Sequence, residues 1–221
     1  MDKYVDIFIQ SLWPLFKAGL LFVIPLTLLS FAIGLILALL TALARLSQIK
    51  PLVWLARFYV WIIRGTPLLV QLFIIFYGLP SIGITIGALP AAVIGFSLSV
   101  GAYNSEVIRA AIQSIPQGQW EAASSLGMTR SQILRRIILP QAARVSVPSL
   151  SNSFISLVKD TSLAATITVT EMFQRAQQIA AATYEHLLIY CEVALIYLFF
   201  STILSALQVR VEKYFERYIV R

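Results

Sequence analysis

The sequence predicts an all-α membrane protein: five transmembrane helices in a single domain, residues 1–221, with a cytoplasmic loop between the third and fourth spans. Three observations carry this prediction. Hydrophobic residues make up 59% of the 221 and charged residues only 12%, with a mean hydropathy of +0.84; soluble domains carry about 25% charged residues. Charge-free windows are long enough to cross a bilayer, which takes about 20 apolar residues per helix. The basic residues between those windows fall almost all on one side.

The first ten residues, MDKYVDIFIQ, lack the basic start of a cleaved signal peptide. Val5, Phe8, Ile9, Leu12, Trp13 and Phe16 recur at helical spacing, which predicts an amphipathic helix over 1–18 lying on the outer surface. Between Lys17 and Arg45 runs GLLFVIPLTLLSFAIGLILALLTALA, the first span. No charge occurs from Arg64 to Glu106, a window too long for one helix and broken by YGLPSIGITIGALP, so it holds two spans, 58–78 and 89–111. Pro67 predicts a kink in the former, with Arg64 anchored near the inner interface. The fourth and fifth spans fall at 147–169 and 187–209.

Alternating these spans divides the connections into two sets. One holds Arg45, Lys50, Arg57, Arg109, Arg130, Arg135, Arg136, Arg144, Arg210, Lys213, Arg217 and Arg221; the other holds only Lys3, Lys17 and Arg175. By the positive-inside rule the loop 114–146 and the tail 210–221 are cytoplasmic and the N-terminus is outside. The net charge of +7 is therefore topology, and nucleic acid is excluded as a partner. Cys191, the single cysteine, lies in a span-like stretch as a small apolar filler. With one cysteine and one histidine, His186, the chain has no catalytic set and no metal site.

The loop has a defined local architecture. Pro116 suits a helix start, QWEAASSL forms a helix, and Gly127 closes it. Thr129 begins a second helix, with Gln132 three residues on to complete a capping box. That helix is expected to run to Pro140. Two short helices around a glycine admit three readings: a solvated loop, a DNA-binding helix-turn-helix, or a docking element for a cytoplasmic partner; the caps disfavour the first and the ties to the bilayer at both ends the second.

The pattern Glu121-Ala122-Ala123, then Gly127, then Ile137-x-Leu139-Pro140 resembles the EAA loop of the transmembrane subunits of ATP-binding-cassette importers. RGTPLLVQLFIIFYGLP at 64–80, GAYNSEVIRAAI at 101–112 and NSFISLVKDTSLAATI at 152–167 extend the likeness. They are similar to the polar-amino-acid uptake permeases, and most to bacterial cystine permeases. The resemblance implies a permease of the bacterial cytoplasmic membrane that seats Glu121, Ala122, Ala123, Gly127 and Arg130 on an ATPase subunit. It implies as partners an ATPase dimer, a second permease chain (a homodimer favoured), an extracytoplasmic amino-acid-binding protein and the lipid bilayer. ATP and magnesium would belong to the ATPase, because this chain has no G-x-x-x-x-G-K-[ST] and no Gly-Lys dipeptide, and no cofactor of its own is expected.

Lys159 and Asp160 are the residues most costly to place in a membrane, about 2.5–3.5 kcal/mol each at the centre of a helix. Neighbours point about 100° apart on a helix, so they cannot simply neutralise one another: each needs another partner, or the helix opens there. A zwitterionic amino acid offers a partner to each. Ser149, Asn152, Ser153, Ser156 and Asp160 share one face, Thr161 and Ser162 add hydroxyls, and Ser99 and Asn104 lie on the third span. Serines in spans also serve as glue between helices, but the resemblance places the substrate at the K-D-T-S run. The expected substrate-contacting set is therefore Lys159, Asp160, Thr161, Ser162, Ser156, Ser99 and Asn104. Cystine is the leading substrate, with glutamine, histidine and arginine as alternatives and an ATP-independent channel as the rival mode; Leu163 on that face favours a neutral side chain. Glu106 and Arg109, at i and i+3, form an expected ion pair.

Overall fold

The computed structural model describes residues 2–216, and every regular element among them is helical. Residues 217–221 of the expected tail lie outside the described residues, as does Met1.

Helix α1 (Asp2–Ala18) does not end before the first span. It passes through a π turn, Gly19–Val23, directly into α2 (Ile24–Leu46). The continuous run Lys3–Leu46 has 44 residues, about 66 Å of helix and twice the roughly 30 Å of a hydrocarbon core. The apolar residues of α1 divide between two faces. Ser11, Leu15 and Ala18 are the buried face, against α9 (Met172–Thr183) and α10 (His186–Glu216), while Val5, Ile9, Leu12 and Trp13 face outward. In a membrane protein the exterior can be the apolar side, so amphipathic spacing alone does not identify the packed face.

The second expected span is two helices. Helix α3 (Lys50–Gly65) stops, Thr66 and Pro67 are extended, and α4 (Leu68–Phe73) leaves at 104° before a π turn and a short 3-10 turn reach Ile82. Pro67 has no N–H to continue a helix and disfavours helix before it, and an elbow follows where the sequence predicted a kink. Helix α5 (Ala88–Gln113) is close to its expected bounds and makes the most extensive helix contact, with α2. Their backbones meet where side chains are absent. A methyl group on Gly34 would collide with Val100, and one on Gly101 would stand 2.6 Å from the Tyr59 hydroxyl. Small residues at a helix crossing are how membrane helices gain van der Waals contact without a hydrophobic drive.

The cytoplasmic-loop expectation gives α6 (Gln117–Ser125) and α7 (Arg130–Ile133). Pro140 does not terminate the second helix, contrary to expectation. A π turn, Leu134–Ile138, lets the Leu139 N–H bond back to the Leu134 carbonyl, and Pro140 then sits in the first turn of α8 (Leu139–Asp160), where a missing N–H is tolerated. Helix α8 ends at Asp160, and Thr161–Ile167 continues as a 3-10 helix closed by Thr168 at φ 68°. The helix therefore changes from α to 3-10 at the charged pair.

Among the described residues three helical segments, Lys3–Leu46, Ala88–Gln113 and His186–Phe215, are long and apolar enough to cross a membrane, and the elbowed pair counts as a fourth if its two arms form one span. Three clusters hold the described chain together. Leu15, Val158, Met172, Ile189 and Phe200 join α1, α8, α9 and α10. Leu26, Leu72, Phe96, Leu157 and Ile167 fill the centre between α2, α4, α5 and the end of α8. Ile112, Ala123, Ile133, Ile138 and Ala142 fix the loop helices beneath α5 and α8.

Candidate functional site

Two features gather the chemistry-bearing residues. The first is a cavity of about 590 Å³ between the end of α3, the lower half of α5 and the polar face of α8. Ser149, Asn152, Ser153, Ser156 and Asp160 line it, as the stripe on the fourth span predicted, and α5 contributes Ser99, Tyr103, Asn104 and Glu106. Arg64, Leu68 and Leu163 complete the polar and apolar walls. Of the expected substrate contacts, the structure thus brings together Ser99, Asn104, Ser156 and Asp160.

The other three lie beside this set. Lys159 is exposed and does not line the cavity. The Thr161 hydroxyl is buried and donates to the Val158 carbonyl at 2.8 Å; that of Ser162 donates to the Lys159 carbonyl at 2.7 Å. Both hydroxyls tie the 3-10 segment to the helix that precedes it.

Asn104 is 1% exposed, and its Nδ2 is buried with no hydrogen-bond partner among the described residues. An unmade bond of that kind costs about 1–3 kcal/mol, so an unspent buried donor calls for an acceptor. Glu106 is the centre of an ionic hub. Its Oε1 meets Arg45 of α2, its Oε2 accepts from Arg109 Nε at 2.9 Å and Nη2 at 2.8 Å, and Arg64 Nη1 stands 3.5 Å from Oε1. The expected Glu106–Arg109 pair is present, and two further arginines from distant sequence join it. Arg109 Nη1 also donates to Gln113 at 2.6 Å.

The elbow that carries Arg64 is stapled from within. Gln71 Nε2 donates to the carbonyl of Ile63 (2.8 Å), the carbonyl of Thr66 (3.1 Å) and the hydroxyl of Thr66 (2.9 Å). A single buried amide thereby satisfies the carbonyls that the break at Pro67 leaves open. This explains the local sequence RGTPLLVQ: the proline breaks the helix and the glutamine four residues later closes it.

The second feature is the loop that joins α5 to α8. Helix α6 ends in a Schellman motif: Gly127 at φ 74° donates to Ser124 at 2.9 Å, and Met128 donates to Ala123 at 3.3 Å. Both halves of the capping box at Thr129 form, with Thr129 N–H to Gln132 Oε1 at 2.8 Å and Gln132 N–H to Thr129 Oγ1 at 3.4 Å. Ala123 is buried in the loop's own core, while Glu121, Ala122, Gly127 and Arg130 are exposed. Glu121 and Arg130 line a groove of about 1200 Å³ shared with Trp120 and the 47–49 turn, and Leu126 is 81% exposed at the tip.

Three acidic positions were not singled out in the sequence. Glu171 is fully buried, where its carboxylate caps α9 by accepting from Phe173 N–H (2.8 Å) and Gln174 N–H (2.7 Å) and from the Tyr197 hydroxyl (3.2 Å). Glu192, 1% exposed, accepts from the Ser11 hydroxyl at 2.6 Å. A lone acid inside an apolar run such as YCEVALIY was the available signal. At the start of α1, Lys3 pairs with Glu185 at 2.9 Å. No group of His, Cys, Asp and Glu able to hold a metal ion occurs among the described residues.

Residues 30–217 match the family described as binding-protein-dependent transport system inner membrane components. The chain is 54% identical to the L-cystine transport system permease protein TcyB of Bacillus subtilis (strain 168), over 98% of this chain and 93% of that protein. It is 37% identical to the arginine transport system permease protein ArtQ of the same organism, over 90% and 92% of the two chains. Among solved structures, one described as an amino acid ABC transporter with histidines superposes with a TM-score of 0.82 at 38% identity, covering 96% of each chain. An inward-facing MetNI methionine ABC transporter shares the fold, with a TM-score of 0.70 at 20% identity over 97% of this chain.

Proposed function

The chain belongs to the family of binding-protein-dependent transport system inner membrane components, and we propose that it moves a polar amino acid, cystine before others, as the permease of an ATP-binding-cassette importer. It is a multi-pass membrane protein and a transport component. In this reading five spans cross the bilayer: α2, the elbowed α3–α4 pair, α5, α8 with its 3-10 extension, and α10. The basic excess on one set of connections supports a cytoplasmic loop and C-terminus and an outer N-terminus.

The observation that carries the substrate class is the cavity itself. It holds an acid, buried amide and hydroxyl groups and an unspent donor inside an apolar bundle, which suits a small zwitterion. Asp160 takes the ammonium, and Ser99, Asn104 and Ser156 supply hydrogen bonds. Thr161 and Ser162 hold the turn that aims Asp160, and Lys159, about 100° round the helix, serves the route leading to the cavity. Leu163 in the wall fits an uncharged side chain, and the similarity to a cystine permease makes cystine the first substrate to test.

The loop docks on a separate ATPase subunit through Glu121, Ala122, Gly127 and Arg130, over the backbone that Ala123 anchors. ATP and magnesium are bound there, and no cofactor belongs to this chain. ATP binding draws two loops together and opens the bundle outward; hydrolysis resets it. Such coupling requires a partner whose affinity differs between the two states. The working assembly is two permease chains, copies of this one, two ATPases and an external binding protein. The test is ligand-stimulated ATP hydrolysis by that assembly in lipid, screened across cystine, glutamine, histidine and arginine. Stimulation by cystine is expected; stimulation by none of the four would overturn the substrate class.

A further inference from the structure

We propose that Arg64, aimed by the Thr66–Pro67 elbow and joined by Asn104 Nδ2, is the carboxylate-recognising pole of the cavity whose ammonium pole is Asp160. This rests on the substrate reading above and adds to it the residue that selects an amino acid over a plain amine.

Four observations carry it. First, the cavity wall contains Arg64, whereas Lys159 lies outside it. Second, Arg64 is the uncommitted member of the hub. Both Glu106 oxygens are engaged by Arg45 and Arg109, leaving three guanidinium groups against one carboxylate, and Arg64 at 3.5 Å from Oε1 is the loosest of the three. A carboxylate entering the cavity meets a surplus of positive charge there. Third, the Arg64 guanidinium lies over the Tyr103 ring at 5.2 Å from its centroid. A ring offers the guanidinium no oxygen acceptor, so this contact does not occupy Arg64 as a carboxylate would. Fourth, the buried Nδ2 of Asn104, two residues before Glu106 on the same helix and lining the same cavity, is a donor with nothing to donate to. Two donors without full acceptors, at one cavity that also holds an acid, describe the two ends of a zwitterion.

The elbow gives the arrangement its origin in sequence. Without the break at Pro67, α3 would run on as a straight span; with it, Arg64 falls on the last turn of α3, where Gln71 holds the carbonyls of Ile63 and Thr66 on either side of it.

The experiment measures binding of labelled L-cystine and of cystamine, its decarboxylated diamine, to the assembled permease–ATPase complex in lipid nanodiscs. The wild type is expected to prefer cystine. Arg64→Gln should lower cystine affinity at least about tenfold, the range of one hydrogen bond to a charged group, and leave cystamine unchanged, erasing the preference. Asp160→Asn should weaken both ligands. An Arg64→Gln complex that keeps the preference would overturn the proposal and make Arg64 a structural member of the hub. Should Arg64→Gln fail to assemble, Arg64→Lys and Asn104→Leu are read the same way: a reduced preference supports the assignment, an intact one overturns it. Wild-type protein that binds neither ligand would instead sink the cavity reading, and this inference with it.

Discussion

The loop between α5 and α8 and the central cavity are built on opposite principles. In the loop the two facing helix ends are closed, by the Schellman pair at Gly127 and the reciprocal caps of Thr129 and Gln132, over a small core around Ala123 and Ile133. Its outward side chains rest on a backbone that needs no partner to hold its shape. The cavity is assembled where the chain is broken, at Thr66–Pro67 and at Asp160–Thr161, and one of its buried donors has no bond to make. A surface that transmits force has to be stiff before it is used, whereas a site that binds and releases has to leave some of its bonding to the ligand.

That contrast can be broken most decisively at Gly127. Its φ of 74° is closed to proline, which would also delete the N–H given to Ser124. Gly127→Pro should cost about 3 kcal/mol or more in loop geometry, roughly two orders of magnitude in ATPase association, with labelled-amino-acid binding by the cavity retained. Co-purification of the ATPase at wild-type yield would show that the loop is not the docking element. On the cavity side, Gln71→Leu removes three contacts from one buried amide. Carbonyls left without a partner cost about 1–3 kcal/mol, so a lowered unfolding temperature and weaker amino-acid binding are expected, with ATPase association unchanged. A fall in ATPase association equal to the fall in binding would mean that the two regions are not separate units.

What could be read from the sequence were the features encoded within a few residues. The glycine stop, the capping box, the Glu106–Arg109 pair and the change of helix at Asp160 all depend on neighbours three to five positions away. The polar stripe from Ser149 to Asp160 is likewise a matter of helical period, and it lines the cavity. What could not be read depends on contacts between distant segments. Arg45 and Arg64 converge on Glu106 across 61 and 42 positions of chain, and no local signal pairs them. Pro140 was read as a stop because proline disfavours helix before it, but a π turn supplied the slack. Pro67 was read as a kink, and the 104° elbow came from Gln71 accepting the role of staple. The division of the α1 stripe is illegible for a different reason: in a bilayer, apolar spacing reports the lipid side as readily as the core.

The most direct test of the central claim is uptake of labelled cystine into vesicles. The vesicles would contain this chain with or without its ATPase subunit, in the presence of the binding protein and ATP. Accumulation against a gradient only when chain, ATPase and ATP are all present is the expected result. Equilibration of cystine by the chain alone would contradict it and make the protein a passive channel.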